Sequence, residues 1–124
     1  YLPKEKILFV GDLAVNWTVG NNLSDVDADH ANWVQMLDQL LKIDVGIVVP
    51  SHGDLGTVET LKGQRGYLGD MLMKVQEGIR SGKSAEQVSQ EINLTKYQPF
   101  GAEPRRTAGQ VRTMYRALAA KARK

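Results

Sequence analysis

The sequence predicts an α/β fold in which one small sheet is covered by helices. Two short apolar runs, Lys6 to Val10 and Val45 to Val49, have the length and the β-branched content of buried strands. A helical pattern separates the two runs. A strand–helix–strand unit with short connections usually places its two strands side by side and parallel. The 124 residues are enough for one domain with a modest core.

The first predicted strand is followed by Asp12 and then by a polar stretch from 16 to 30. This stretch contains a glycine followed by two asparagines, and three aspartates at alternate positions, which together predict a loop. Loops often carry ligand contacts, so Asn16, Trp17 and Asn22 are candidates for that role. For Trp17 we favour a cover over the core.

The first predicted helix runs from about 29 to 43. Asp27 or Asp29 can cap it by accepting hydrogen bonds from the backbone N–H groups of its first turn. Its apolar residues recur at spacings of three and four and therefore share one face: Trp33, Val34, Leu37, Leu40 and Leu41. The second strand follows this helix, and Pro50 keeps the residue before it extended.

A long helix is predicted from an N-cap at Thr57 to about Ser81, with Gly82 as its stop. The apolar residues of its inner stripe are Leu61, Leu68, Leu72, Val75 and Ile79. The helix also carries three glycines, Gly63, Gly66 and Gly69. Each glycine costs up to about 1 kcal/mol relative to alanine. They indicate either that another segment packs closely here or that the helix breaks.

Ser84 with Gln87 has the pattern of a capping box, which predicts a short helix. A loop with prolines and a glycine then leads to a final helix that begins at about Thr107. We therefore divide the chain into a βαβα unit, residues 1–98, and a loop with a terminal helix, residues 99–124, that packs on it.

The terminal helix is basic. From Arg105 to Lys124 there are seven basic residues and no acidic one, which leaves nine basic and fourteen acidic residues elsewhere. A basic helix can bind nucleic acid or an acidic partner. No groove-reading motif accompanies it, so we favour a solvated helix face over nucleic-acid binding. No apolar run approaches the roughly 20 residues of a membrane helix, so we expect no membrane association.

Two polar residues follow the predicted strands, Asp12 after the first and His52, in the stretch "IVVPSHGD", after the second. In open α/β sheets, ligands bind outside the carboxyl ends of the strands, so both side chains are expected in one crevice. A carboxylate and an imidazole there form either a metal half-site or an acid/base pair. The spacing alone leaves a structural alternative open, in which Asp12 caps a turn and His52 bonds to backbone.

Three stretches of the chain, "YLPKEKILFVGDL", "DADHANWVQMLDQLLKIDVGIVVPSHGD" and "QRGYL", resemble the C-terminal half of a metallo-β-lactamase-fold hydrolase. The resemblance covers nearly the whole chain in the family's order. Within these stretches, the local sequences "GDLAVN" and "SHGDLGTVETLKGQRGYL" resemble those of the glyoxalase II-like and quinoprotein-associated zinc hydrolases of bacteria.

The resemblance implies half of an αββα sandwich and a zinc hydrolase whose metal-bound hydroxide attacks an ester, thioester or amide-like bond. Asp12 matches the aspartate that bridges two zinc ions, and His52 matches the last histidine of the second metal. Both are therefore expected to be metal ligands and catalytic residues. The implied cofactor is zinc, with two ions in the complete enzyme, and the implied substrate is a small molecule.

The chain departs from the family pattern in several places. The His-x-His-x-Asp-His signature is absent, as is the histidine that normally precedes the Gly-Asp strand. Ser51 replaces the usual glycine, a mild change unless this position needs a positive φ. His30, the other histidine, is interpreted as a surface or capping residue. With two ligands and no cysteine, the chain alone is expected to bind zinc weakly and to be inactive.

These observations leave two main hypotheses about partners. In the first, the chain, which starts almost directly on a strand and without Met, is a fragment of a zinc hydrolase that needs the N-terminal half of the same fold. In the second, it is a half-domain that self-associates, so that a homodimer rebuilds the sandwich without catalysis. Composition leaves cytoplasm and periplasm both open, although no secretory signal is recognisable at the start.

Overall fold

The computed structural model describes residues 1–16, 18–25 and 27–123. Its elements in chain order are β1 (Ile7–Gly11), α1 (His30–Leu40), β2 (Ile47–Pro50), α2 (Val58–Arg80), α3 (Ala85–Glu91), a 3₁₀ helix (Thr95–Phe100) and α4 (Pro104–Ala122). The protein is thus a mixed α/β fold with more helix than strand. Among these residues, no helix is both long and apolar enough to cross a membrane.

The two strands form a parallel sheet, as the sequence predicts. Ile7 lies opposite Ile47 and Phe9 opposite Val49, and the register shifts before Gly11 at the end of β1. Helix α1 provides the crossover between the strands and packs against α2. Because the strands run in the same direction, their carboxyl ends lie at one edge of the sheet.

The sheet has one buried and one exposed face. Successive side chains of a strand point to opposite faces. The inner face carries Leu8, Val10 and Val48, which belong to the main core with the apolar stripe of α2. The outer face carries Ile7, Phe9, Ile47 and Val49, and it is extended by Leu2, which pairs with Ile7, and by Leu55 beside the Val48–Gly56 bridge. We call these six residues the outer sheet face; Phe9 is 61% exposed there.

The predicted helix caps are confirmed. Asp29 accepts a hydrogen bond from the backbone N–H of Asn32 at 3.1 Å, and Thr57 caps α2 in the same way. Ser84 and Gln87 form both bonds of the capping box at the start of α3. Gly82 has φ of 73°, a left-handed conformation that glycine adopts readily, and it follows the end of α2.

The glycines of α2 mark close packing, and the helix runs through them without a break. A Cβ on Gly63 would lie 2.6 Å from Cγ of Phe100, and one on Gly66 would lie 2.7 Å from the hydroxyl oxygen of Tyr97. Both aromatic residues belong to the 3₁₀ helix, a segment that the sequence assigned to a loop. The 3₁₀ helix can therefore approach α2 only because these two positions lack side chains.

The terminal helix begins earlier than predicted, at Pro104 instead of Thr107. The Glu103 carboxylate caps it by accepting hydrogen bonds from the backbone N–H groups of Arg105 at 2.9 Å and Arg106 at 2.8 Å. Proline suits the first helical position because its missing N–H would have no partner there. Helix α4 packs on α2 and α3.

The interpretation of His30 as a surface or capping residue is wrong. His30 is the first residue of α1 and is only 2% exposed, and Asp29 provides the cap instead. Its Nε2–H donates to the carbonyl oxygen of Leu23 at 3.2 Å, which satisfies one ring nitrogen inside the protein. Burial lowers the pKa of His30, and the Leu23 carbonyl offsets this in part.

Gly63→Ala is expected to destabilise the protein by about 1–3 kcal/mol, because the new methyl group overlaps the Phe100 ring. The matched control is Gly109→Ala in α4, where a Cβ meets no atom within 4 Å. That change is expected to stabilise the helix by up to about 1 kcal/mol. Urea unfolding of both variants measures the two changes, and equal effects of the same sign would contradict the packing argument.

The burial of His30 also predicts a pH dependence of stability. Since its pKa is lower in the folded than in the unfolded protein, the unfolded state binds more protons as the pH falls below about 6.5. The stability contribution is therefore complete above that pH and decreases as the pH falls toward the lowered pKa. The free energy of unfolding between pH 7.5 and 5.5 should decrease less in His30→Gln than in the wild type. An equal decrease in the two proteins would contradict this role of His30.

Candidate functional site

The structure brings Asp12 and His52 together at the carboxyl edge of the sheet. Asp12 directly follows β1 and His52 lies two residues after β2. The distance from Nε2 of His52 to Oδ1 of Asp12 is 3.5 Å. Their side chains are 69% and 52% exposed, respectively. Both are thus close enough to share a ligand and open enough to reach one.

Ser51 connects the two strand ends directly. Its hydroxyl donates to Oδ1 of Asp12, and its backbone N–H donates to the carbonyl oxygen of Gly11 at 3.1 Å. Its φ is not positive, so a serine fits here without the strain that would have made the replacement of glycine costly. The hydroxyl orients the Asp12 carboxylate through Oδ1.

His52 lies in a closed loop. Val48 and Gly56 exchange two backbone hydrogen bonds, of 2.9 and 2.8 Å, and so close the segment between them. Gly53 has φ of 82°, and a Cβ there would lie 3.0 Å from the carbonyl oxygen of Asn16. The loop that carries His52 therefore rests against the segment that follows Asp12, and this approach requires glycine.

The three loop residues named as candidates for ligand contact differ in what the structure shows of them. The side chain of Asn16 bonds within the protein, to the Leu55 carbonyl and the Thr60 hydroxyl. Asn22 is exposed and has φ of 63°. Trp17 lies outside the described residues.

The donor atoms of the pair suit zinc, but their number is incomplete. Zinc in proteins takes carboxylate oxygen and imidazole nitrogen, and a catalytic site usually provides three protein ligands and an open position. Within residues 1–16, 18–25 and 27–123, no group of three or more histidine, cysteine, aspartate or glutamate residues could hold a metal. Asp12 and His52 thus fit zinc as part of a site and not as a whole one.

Other surface features offer less chemistry. A cleft of about 390 Å³ lies between the end of α3 and the start of α4, but its lining, drawn from residues 89–107, includes neither Asp12 nor His52. In the basic stretch, Arg106 donates to the carbonyl oxygens of Val19 at 3.2 Å and of Gly101 at 2.5 Å. Arg112 lies 3.5 Å from the Glu86 carboxylate. These arginines stabilise packing, which favours the structural interpretation of α4.

The sequence analysis named Ser51 and Asn16 but missed the hydrogen bonds that each makes beside the site. Ser51 could have been found from its place next to His52, because a hydroxyl at a strand end readily contacts the neighbouring strand end. Asn16 gave no such signal, since its partners are 39 and 44 residues away in the chain.

The chain matches no protein-family model and no curated protein.

Proposed function

We propose that this chain is the C-terminal part of a zinc-dependent hydrolase of the metallo-β-lactamase superfamily, with Asp12 and His52 as part of its metal site. The observation that carries the proposal is the meeting of a carboxylate and an imidazole, 3.5 Å apart, at the carboxyl ends of two adjacent parallel strands. The order of these strands and residues along the chain agrees with the family pattern that the sequence resembles.

The chemistry follows from the donor set. Zinc, when bound, lowers the pKa of its water to about 7 and so supplies hydroxide for attack on an ester, thioester or amide-like bond of a small molecule. Asp12 would contribute a carboxylate that binds the metal and orients the attacking oxygen, and His52 would contribute an imidazole nitrogen. Ser51 holds Oδ1 of Asp12, so that the carboxylate has one preferred orientation before a metal arrives.

The outer sheet face supports the partner part of the proposal. Its apolar side chains, including Phe9 and Ile47, are exposed in the isolated chain. The edge at which this face ends is also the edge that carries Asp12 and His52. A partner that covers this face can therefore bring further ligands to the same place. We propose that this partner is the N-terminal half of the same fold, and that the chain alone is inactive.

A second candidate is self-association through the same face. An isologous contact would bury Phe9 of both copies and rebuild a two-layered sheet sandwich. It would also bring two copies of Asp12 and His52 toward each other. The observation that favours it is the exposure of the outer sheet face in a chain that otherwise has a buried core.

The metal proposal predicts a difference between the isolated chain and the assembled one. The parent gene is expected to encode His-x-His-x-Asp-His upstream, and the chain co-produced with that segment should retain zinc after dialysis against a weak chelator. The isolated chain should not. His52→Ala should lower the zinc content of the assembly and abolish hydrolysis. An upstream segment without this motif, or an His52→Ala assembly with full zinc, would refute the proposal.

The self-association candidate predicts a homodimer that depends on the outer sheet face. Phe9→Glu should convert it to a monomer in light scattering, because a charge in the apolar contact is costly to bury. The matched control is Met73→Glu on α2, where the wild-type side chain is 52% exposed. That variant should remain dimeric. A well-folded wild-type chain that is monomeric at all concentrations would exclude the homodimer and leave the N-terminal half as the partner.

A further inference from the structure

We infer that Asn16 is a positioning residue, which holds the turn of Asp12 and the loop of His52 in fixed relation to each other. The metal role of the pair rests on the proposed function, whereas the positioning of the pair rests on contacts within this chain. Asn16 lies four residues after Asp12 and reaches across to the segment that carries His52.

Three contacts join Asn16 to the His52 loop and its base. Its Nδ2 donates to the carbonyl oxygen of Leu55 at 3.3 Å. Its Oδ1 accepts from the hydroxyl of Thr60 at 3.4 Å. Its own carbonyl oxygen lies against Gly53, where a Cβ would come within 3.0 Å. Both ends of the amide side chain thus bond to other parts of the chain, one to the loop and one to α2.

The partner on α2 provides a rigid reference. Thr60 is buried in the first turns of α2. It also packs closely against Gly56, the residue that closes the His52 loop, since a Cβ on Gly56 would lie 3.0 Å from Cβ of Thr60. Asn16 therefore links the loop to a residue that is itself fixed by the core.

Gly20, four residues after Asn16, is fixed independently. The backbone N–H of Gly20 donates to Oε1 of Gln64 at 3.1 Å, and its carbonyl oxygen accepts from Nε2 of Gln110 at 2.6 Å. Both glutamines are buried. Asn16 is thus held between Asp12 on one side and an anchored glycine on the other.

Without the Asn16 side chain, the His52 loop keeps two connections to the sheet. These are the Val48–Gly56 pair at its base and the bonds of Ser51 to Gly11 and Asp12. Residues 53–55, on the far side of His52, would then have no side-chain tether among the described contacts. The imidazole, which is exposed, would then lie in a loop that is fixed at Ser51 and at Gly56 but has no side-chain tether between His52 and Gly56 among the described contacts.

The test is an NMR comparison of the metal-free chain with Asn16→Ala, Thr60→Val and the control Asn22→Gly. The control removes an asparagine from the same loop, and glycine adopts its φ of 63° without strain. Two readouts are recorded: backbone order parameters of residues 53–55, and the nuclear Overhauser effect between the His52 ring and the Asp12 Cβ protons. Urea midpoints are recorded beside them to separate positioning from general stability.

In Asn16→Ala we expect the order parameters of residues 53–55 to fall from about 0.85 to below about 0.6. We also expect the nuclear Overhauser effect between His52 and Asp12 to be lost. Thr60→Val, which removes the hydroxyl but keeps the shape, should reduce both values to a smaller extent. If Asn16→Ala does not fold, the result for Thr60→Val tests the inference in its place. Asn22→Gly should match the wild type. The inference would be overturned if a folded Asn16→Ala kept the wild-type order parameters and the wild-type nuclear Overhauser effect. If Asn16→Ala does not fold, the same result in Thr60→Val would overturn it.

A second arm with Zn²⁺ alone separates this inference from the proposed function. In the wild type, the amide signals of Asp12 and His52 should shift together during a Zn²⁺ titration and give one dissociation constant. Asn16→Ala should raise that dissociation constant about tenfold, which is the effect expected when a residue that orients a metal ligand is removed. An unchanged constant would overturn the positioning role. If zinc shifts neither signal in the wild type, the half-site of the proposed function fails, while loss of the His52–Asp12 effect in Asn16→Ala still supports the positioning of the pair.

Discussion

The parallel pairing of β1 with β2 determines where the candidate site lies, because it brings both strand ends to one edge. A two-stranded sheet of four or five residues per strand is marginal in water by itself. It persists here because its inner face is buried in the same cluster as the apolar stripe of α2. Buried apolar surface contributes roughly 25 cal/mol per Å². The geometry of Asp12 and His52 is therefore a consequence of how α2 packs under the sheet.

A buried polar network fixes the loop after β1, as the packing of α2 fixes the sheet. The Tyr67 hydroxyl donates to Oε1 of Gln110 at 2.6 Å and accepts from the Thr107 hydroxyl at 2.7 Å, while Gln110 in turn donates to Gly20. Burial raises the pKa of Tyr67, which stays neutral and keeps its proton for Gln110. Gly20 has φ of 84°, and a Cβ there would lie 2.6 Å from the Tyr67 ring. Since every member has a partner, the network fixes the loop without leaving a buried polar group unsatisfied.

The parts of the fold that depend on local pattern could be predicted from the sequence, and those that depend on distant partners could not. The strands, α1, α2 and the caps at Asp29, Thr57 and Ser84 follow from periodicity and from short-range hydrogen bonds. The 3₁₀ helix exists because Tyr97 and Phe100 fit against glycines more than 30 residues earlier, a fit that no local window contains.

The same distinction applies to the site. Its two main residues could be predicted because each directly follows a strand, and the parallel topology then brings them to one edge. The burial of His30 could not be predicted, since it depends on the Leu23 carbonyl and on the packing of the loop. The tether at Asn16 depends on Leu55 and Thr60, which are distant in sequence. The sequence alone does not distinguish an asparagine with such partners from a solvated asparagine in a loop.

The number of ligands distinguishes the two partners that could cover the outer sheet face. A second copy can bring only what the first has, one carboxylate and one imidazole, so that a symmetric site would hold four protein ligands. Four ligands close the coordination sphere of zinc and are typical of structural sites, whereas hydrolysis needs a position open for water. A different segment can supply an unequal set and leave that position open. The apolar face alone is compatible with either partner, but the incomplete pair beside it is suited to catalysis only when the partner is not another copy of this chain.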